Sequence, residues 1–332
     1  MKVCITGGAG MIGSTLLRKI VGRGHEVVII DNLWRGNLGN IADVDGFSSG
    51  SNFHNIDLAL PENIKKVIPI IESCDVVIHL ADIVAGIGYV FNNQYEIFRI
   101  NNLINTNLFN ACAIAQVKKI IYAGTACSFP KNLQLSLNSV LKEEQLFPAE
   151  PESGYGWSKL MGSLELQYLQ EKYGCDVTTL MLHNVYGPFC DIDPKRSQVI
   201  PSIIRKMIEL KDGEDLVVWG SGNQGRAFLH TEDVASAFLS ALDKTGLPLV
   251  IQVGPNKCTS IKELVTTLKE DVLRKDINII YDTTKPEGDI GRSADYSLAN
   301  DVLQWSPKVD FIEGLTETVN WVKGKLEKEF AG

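Results

Sequence analysis

The chain has 332 residues, 45% of them hydrophobic, and carries 32 Lys and Arg against 40 Asp and Glu, a formal net charge of −8. That is enough apolar content for one large or two medium domains, and the acidic balance with no long basic run argues against a nucleic-acid role. No apolar run approaches a membrane span, the first strand signal begins at residue 3 with no room for a signal peptide before it, and the seven cysteines form no C-x-x-C pair, so neither a zinc site nor a disulfide framework is indicated and a reducing cytoplasm is expected.

In chain order, residues 3–6 form a short β-branched apolar run that predicts a buried parallel strand. Gly8, Gly10 and Gly13 fit G-x-G-x-x-G, and Gly7, Gly10 and Gly13 fit the related G-x-x-G-x-x-G, with Met11 and Ile12 inside the loop. Residues 14–21 then read as a helix. Strand, glycine loop and helix in this order bring backbone close to a pyrophosphate at the positive end of a helix. A second strand at 25–31 ends on Asp31, placed to hold a ribose 2′-hydroxyl and to repel a 2′-phosphate, which favours NAD over NADP; Arg35 nearby softens that preference. Residues 36–50 are rich in Gly, Asn and Ser and read as a mobile surface loop.

Strands are predicted at 52–57, 75–81, 118–123 and 176–182, and helices at 61–71, 92–116 and 155–173. The alternation predicts an α/β fold, a Rossmann-like doubly wound parallel sheet with ligands beyond the carboxyl ends of the strands. After residue 183 the pattern loosens, with a helix at 199–210 and a strand at 216–219. We read residues 1–183 as the dinucleotide domain, with the chain returning to it near 226–254. Residues 184–225 and 255–332 make a smaller substrate-binding lobe.

Two further residues carry chemistry. Tyr155 and Lys159 lie one helical turn apart, so phenol and ammonium point the same way, and a cation beside a phenol favours phenolate. Such a Tyr removes a hydroxyl proton near neutral pH. Alone the spacing is common on surface helices. Thr125, a hydroxyl at a strand end, is placed to hydrogen-bond the same substrate oxygen. His79 lies inside an apolar strand and reads as structural; His183, His230, Trp157 and Trp219 are left open between cleft and core.

The chain resembles extended short-chain dehydrogenase/reductases of the nucleotide-sugar epimerase/dehydratase group nearly end to end. The likeness rests on Gly7, Gly10 and Gly13, Asp31, Asp57, His79 to Ala81, Asn102, Thr125, Tyr155 with Lys159, Asn184 to Pro188, Arg226 with His230, and Arg292 with Asp295. It implies an enzyme with NAD bound by Gly7, Gly10, Met11, Ile12, Gly13, Asp31, Asn32, Asp57 (at the adenine), Leu58, Leu80, Ala81 and Asn102. Tyr155 and Lys159 also touch the cofactor, Lys159 through the nicotinamide ribose. Asn184, Gln198, Arg226 and Arg292 would hold the sugar nucleotide. A homodimer through the helices at 92–116 and 155–173 is implied too.

Within the group, residues 81–89, 125–130 and 148–151 are similar to the GDP-mannose 3,5-epimerase subfamily, which favours a GDP-sugar. There Cys127 would act as an acid/base at the sugar ring, since a C4 ketone acidifies the C3 and C5 hydrogens. The subfamily's second base, a Lys, falls at Gln198 or Val199 here, and Gln cannot shuttle protons. Ala126 and Cys127 stand where dehydratases and decarboxylases carry acidic residues. The expected reaction is C4 oxidation, epimerisation and re-reduction by the same NAD. The alternatives are a 4-dehydrogenase or 4-epimerase, and a non-catalytic NAD-binding regulator.

Overall fold

The computed structural model describes residues 1–47, 52–285 and 288–331. The strands are β1 (Lys2–Thr6), β2 (Glu26–Asp31), β3 (Phe53–Asn55), β4 (Val76–His79), β5 (Lys119–Thr125), β6 (Leu135–Leu141), β7 (Asp176–Leu182), β8 (Asn184–Tyr186), β9 (Asp215–Trp219), β10 (Gly225–Arg226), β11 (Phe228–His230), β12 (Val250–Val253), β13 (Thr259–Ser260), β14 (Asn278–Asp282) and β15 (Gly291–Ala294). The helices are α1 (Met11–Gly22), α2 (Ile64–Ile71), α3 (Ile87–Asn92), α4 (Gln94–Ile114), α5 (Gly154–Tyr173), α6 (Val199–Glu209), α7 (Thr231–Leu242), α8 (Ile261–Thr267), α9 (Ser297–Leu303) and α10 (Phe311–Ala331).

Seven parallel strands form the central sheet in the order β12-β7-β5-β4-β1-β2-β3. Period-two alternation sends neighbouring residues of one strand to opposite faces, and both faces are buried. On β1, Val3 and Ile5 join a core with Leu16 and Leu17 of α1 and Phe238 of α7, while Cys4 joins a second core with Leu108 and Phe109 of α4 and Leu166 of α5. Chain order reverses direction at β1 and β4, so a crevice opens beyond their carboxyl ends.

A third core lies apart from the sheet. It joins Ile204 and Met207 of α6, Leu216 and Val218 of β9, Leu264 of α8, and Leu315, Val319 and Val322 of α10. Its strands pair as β9 with β14, and nearby β6 pairs with β15 and β8 with β11. Between the two regions the chain returns to the sheet through α7 and β12.

Several local expectations change. The helix predicted at 92–116 is preceded by α3 and interrupted at Asn93. In the segment at 36–50, residues 48–50 lie outside the described residues. The rest is packed: Ile41, Val44 and Phe47 are buried in the first core, and Asn40 Nδ2 donates to Ala9 O at 2.9 Å. Among the described residues no helix is long and apolar enough to cross a membrane.

Candidate active site

The carboxyl ends of the strands open into a cleft of about 570 Å³. Thr125 at the end of β5, Cys127 just beyond it, and Tyr155 and Lys159 of α5 all line it. The placement follows from local structure. Ser153 caps α5 by accepting from Gly156 N, which puts Tyr155 in the first turn and Lys159 one turn on. At the far end Gly174 adopts φ +70° and terminates the helix.

The pair does not behave as the spacing alone predicts. Lys159 Nζ forms a 2.8 Å ion pair with Asp82 Oδ2 and lies 4.7 Å from the centroid of the Tyr122 ring. Burial works against the Lys159 charge, but Asp82 and Tyr122 outweigh it and raise its pKa. Tyr155 O–H donates to the same Asp82 Oδ2 at 3.4 Å. Burial first, then Asp82, Cys127 and Tyr122, push the Tyr155 phenol well above its ordinary value, against a hydrogen bond from Thr125. The expected lowering of Tyr155 by Lys159 is therefore corrected: the ammonium is committed to a carboxylate that the sequence reading passed over.

On the other wall, Arg292 Nη2 donates to Cys127 Sγ at 3.0 Å, and Arg292 Nη1 donates to Asp289 Oδ2 at 2.6 Å and to Gln134 Oε1 at 2.5 Å. Arg226 Nη1 donates to the carbonyl of Asp289 at 2.7 Å. Burial, with Arg292 beside it, lowers Arg226 to about 10. Glu152 also lines the cleft; burial first, and then Asp289 beside it, raise its carboxyl.

Gln198, at the start of α6, lines the cleft and accepts from Arg35 Nη2 at 3.4 Å. Arg196 is held by Asp191 at 2.5 Å and Lys195 is exposed, so neither stands in for the missing base. Asn184, first residue of β8, lines the same wall.

Gly7, Gly10, Met11, Ile12 and Gly13 line the opposite end of the cleft, with Asp31 at the end of β2, Asn32 just after it, and Asp57 and Leu58 beyond β3. Leu80 and Ala81 after β4 complete this end. Asn102 does not line it: its Nδ2 donates to Phe98 O one turn back in α4 at 2.8 Å. The neighbouring Asn101 is the residue that acts at the cleft wall, bonding Ile83 through both N–H (2.7 Å) and carbonyl (3.2 Å). Arg35 is spent on Val84 O at 2.9 Å and Asp191 at 3.5 Å, so it does not offset the preference set by Asp31.

The histidines resolve. His79 sits between Thr6 Oγ1 at 2.7 Å and Asn105 Oδ1 at 3.0 Å, and burial lowers it to about 3, a structural role. His230 is buried as the cap of α7, outside the cleft lining. His183 lines the cleft, bonded to Gln252 at 3.2 Å, and burial lowers it to about 3. Trp157 packs in a small core and Trp219 covers Gly88.

Comparison with known sequences decides the family. The profile of the NAD dependent epimerase/dehydratase family matches residues 3–254. The chain belongs to this family. Curated relatives include GDP-mannose 3,5-epimerase of Arabidopsis thaliana, 31% identical over 335 residues, covering 100% of this chain and 84% of that one. A putative UDP-glucose 4-epimerase of Methanocaldococcus jannaschii is also 31% identical, over 325 residues, covering 97% of this chain and 98% of that one. Among solved structures, UDP-glucose 4-epimerase of Thermotoga maritima with UDP-glucose has a TM-score of 0.86 at 26% identity, covering 98% of this chain and 100% of that one.

As a member of the NAD dependent epimerase/dehydratase family the protein is an enzyme with NAD as its cofactor, and the glycine end of the cleft fits that group. Gly10 caps α1 with no side chain in the way, so the amides of the first turn face the cleft for an anion. Gly7 has φ +71°, and a Cβ there would lie 2.8 Å from Ala81 N. A Cβ on Gly13 would meet the Gly7 carbonyl and lie 2.6 Å from Gly8 Cα. Asp31 Oδ2 accepts from Ala9 N at 3.0 Å and Oδ1 from Leu33 N at 2.8 Å, so the carboxylate that would hold a ribose also shapes the glycine loop. Lys159 Nζ is buried in an ion pair with no aligned hydrogen bond, leaving N–H donors for a ribose hydroxyl.

Gly13→Ala is expected to weaken NAD binding at least tenfold and to destabilise the fold by about 1–3 kcal/mol, because backbone on both sides must move. Calorimetric titration with NAD and a thermal melt check this; unchanged NAD affinity would remove the glycine loop from the cofactor site.

Proposed function

We propose that the protein is a nucleotide-sugar epimerase, GDP-sugars favoured, that oxidises its substrate at C4, exchanges a proton at C3 or C5 and restores the C4 hydroxyl. The observation that carries this reading is Cys127: a thiol in the cleft wall, beyond the same strand end as Thr125, with Arg292 3.0 Å from its sulfur.

Thr125 holds the C4 hydroxyl and Tyr155 takes its proton. Bound NAD supplies the reversible hydride acceptor at C4. Cys127 removes the proton from the ring carbon next to the ketone, the electron pair moving into the ketone oxygen held by Thr125 and Tyr155. Glu152, whose carboxyl is raised by burial and by Asp289 nearby, is the candidate second proton carrier and returns a proton to that carbon. This assigns to Glu152 the task that Gln198 cannot perform. Asn184, Gln198, Arg226 and Arg292 form the substrate wall, placing the sugar nucleotide between the sheet and the lobe of residues 184–225 and 255–332.

A second reading is supported by the equal identity to a putative UDP-glucose 4-epimerase. Inversion at C4 needs Thr125 and Tyr155 but not Cys127, and takes up no ring proton from water. A 4-dehydrogenase would instead accumulate reduced cofactor. Turnover of a panel of GDP- and UDP-sugars in D2O, with products read by NMR, tests the proposal: deuterium at C3 or C5 supports it, and C4 inversion without deuterium favours the second reading.

We further propose a homodimer through α4 and α5. Both expose aromatic residues, Tyr95 and Phe98 on one and Tyr168 and Tyr173 on the other. Light scattering is expected to give twice the chain mass, falling to the monomer in Tyr168→Arg; a wild-type monomer would refute it.

A further inference from the structure

Asp82 lies on the loop after β4, and its backbone neighbours are clamped. Ile83 is bonded at N–H and carbonyl by Asn101, Val84 O by Arg35, and Gly86 N by the carbonyl of Arg196 at 2.9 Å. The loop therefore fixes where this carboxylate points. Its side chain is 11% exposed, against 2% for Lys159. One oxygen, Oδ2, meets both Lys159 Nζ at 2.8 Å and Tyr155 O–H at 3.4 Å.

We propose that Asp82 is a positioning residue that sets the protonation state of Tyr155, holding the phenol as a hydroxyl and the Lys159 ammonium away from it through a single carboxylate oxygen. The proposal rests on the C4-oxidation reading, in which Tyr155 must lose its proton to act. The groups facing Tyr155 are Asp82 from the β4 loop, Tyr122 and Thr125 from β5, Cys127 just beyond β5, and Lys159 on its own helix. Of these, Asp82 and Lys159 form the ion pair, so the carboxylate offsets the ammonium. Without the carboxylate, a negative charge beside the phenol is lost and the ammonium is released toward it. Both changes favour phenolate, so they act in the same direction.

The test compares Asp82→Asn, Asp82→Glu and Tyr155→Phe. The acid limb of the kcat/KM pH profile reports the base that must be deprotonated. In Asp82→Asn it is expected to move down by about one pH unit or more, the size typical of losing a like charge at this range. Asp82→Glu restores the charge and should keep the wild-type limb. A second readout needs no turnover: the ultraviolet phenolate titration of Tyr155, isolated by subtracting the corresponding Tyr155→Phe protein, should move down by the same amount. A melting temperature for each variant confirms folding. A limb and titration that stay in place, or move up, in folded Asp82→Asn would overturn the proposal and leave Asp82 a structural counter-ion. The C4-oxidation reading fails separately, on wild-type turnover by Tyr155→Phe, and the optical titration then still decides whether Asp82 controls the phenol.

Discussion

Replacing Tyr155 by Phe is expected to lower turnover by about 10³-fold or more while leaving NAD bound, since a positioned proton-transfer group is worth about 10²–10⁴-fold. The phenol lines the cleft beside Thr125, the hydroxyl at the strand end. Phe keeps the ring and loses only the oxygen, so the first turn of α5, capped by Ser153, stays in place. Lys159 remains paired with Asp82, so its contribution to the cofactor site should persist. The measurement is steady-state turnover together with NAD content of the purified variant. Turnover close to wild type would contradict proton removal by Tyr155.

The second large effect belongs to Cys127. In Cys127→Ser, uptake of solvent deuterium at C3 and C5 should fall by about 10²–10⁴-fold, while oxidation at C4 continues and reduced cofactor forms on addition of substrate. The separation is possible because the two proton-transfer groups sit on different supports. Tyr155 is held by α5, and Cys127 follows β5 with Arg292 against its sulfur. Ser keeps the size and a hydrogen-bonding atom for Arg292 but is a far poorer carbon base. Glu152→Gln should spare exchange of the ring hydrogen and slow inversion, because the amide cannot return a proton. Full exchange in Cys127→Ser would take the thiol out of the reaction.

The sequence shows the sheet well because its signal is local. A β-branched run such as residues 3–6, followed by glycines and an amphipathic helix, is a complete βα unit within twenty residues. The cleft end of that unit follows from strand order alone. What is not legible comes from contacts between distant segments. Asp82 and Lys159 are 77 positions apart, and Asp289 reaches Glu152 from 137 positions away, so no spacing announces either pair. Asp82 left one sign, an acid directly after an apolar strand. The Tyr155–Lys159 spacing correctly placed both groups in the cleft but not their charges, because a third residue intervenes. The Asn102 side chain turns to Phe98 O within α4, while Asn101 beside it on the helix faces another direction and bonds Ile83. The lobe after residue 183 is legible only coarsely, since its core joins α6, β9, α8 and α10, and short strands such as β10 and β13 are defined by their pairing.

The central claim is that oxidation at C4 serves proton exchange at a neighbouring carbon. The direct measurement is the position of deuterium in the product after turnover of a GDP-sugar by the NAD-loaded wild-type enzyme in D2O. The account predicts deuterium at C3 or C5 and none at C4, because the C4 hydrogen leaves and returns as hydride. Product with an inverted C4 and no ring deuterium at any position would contradict it.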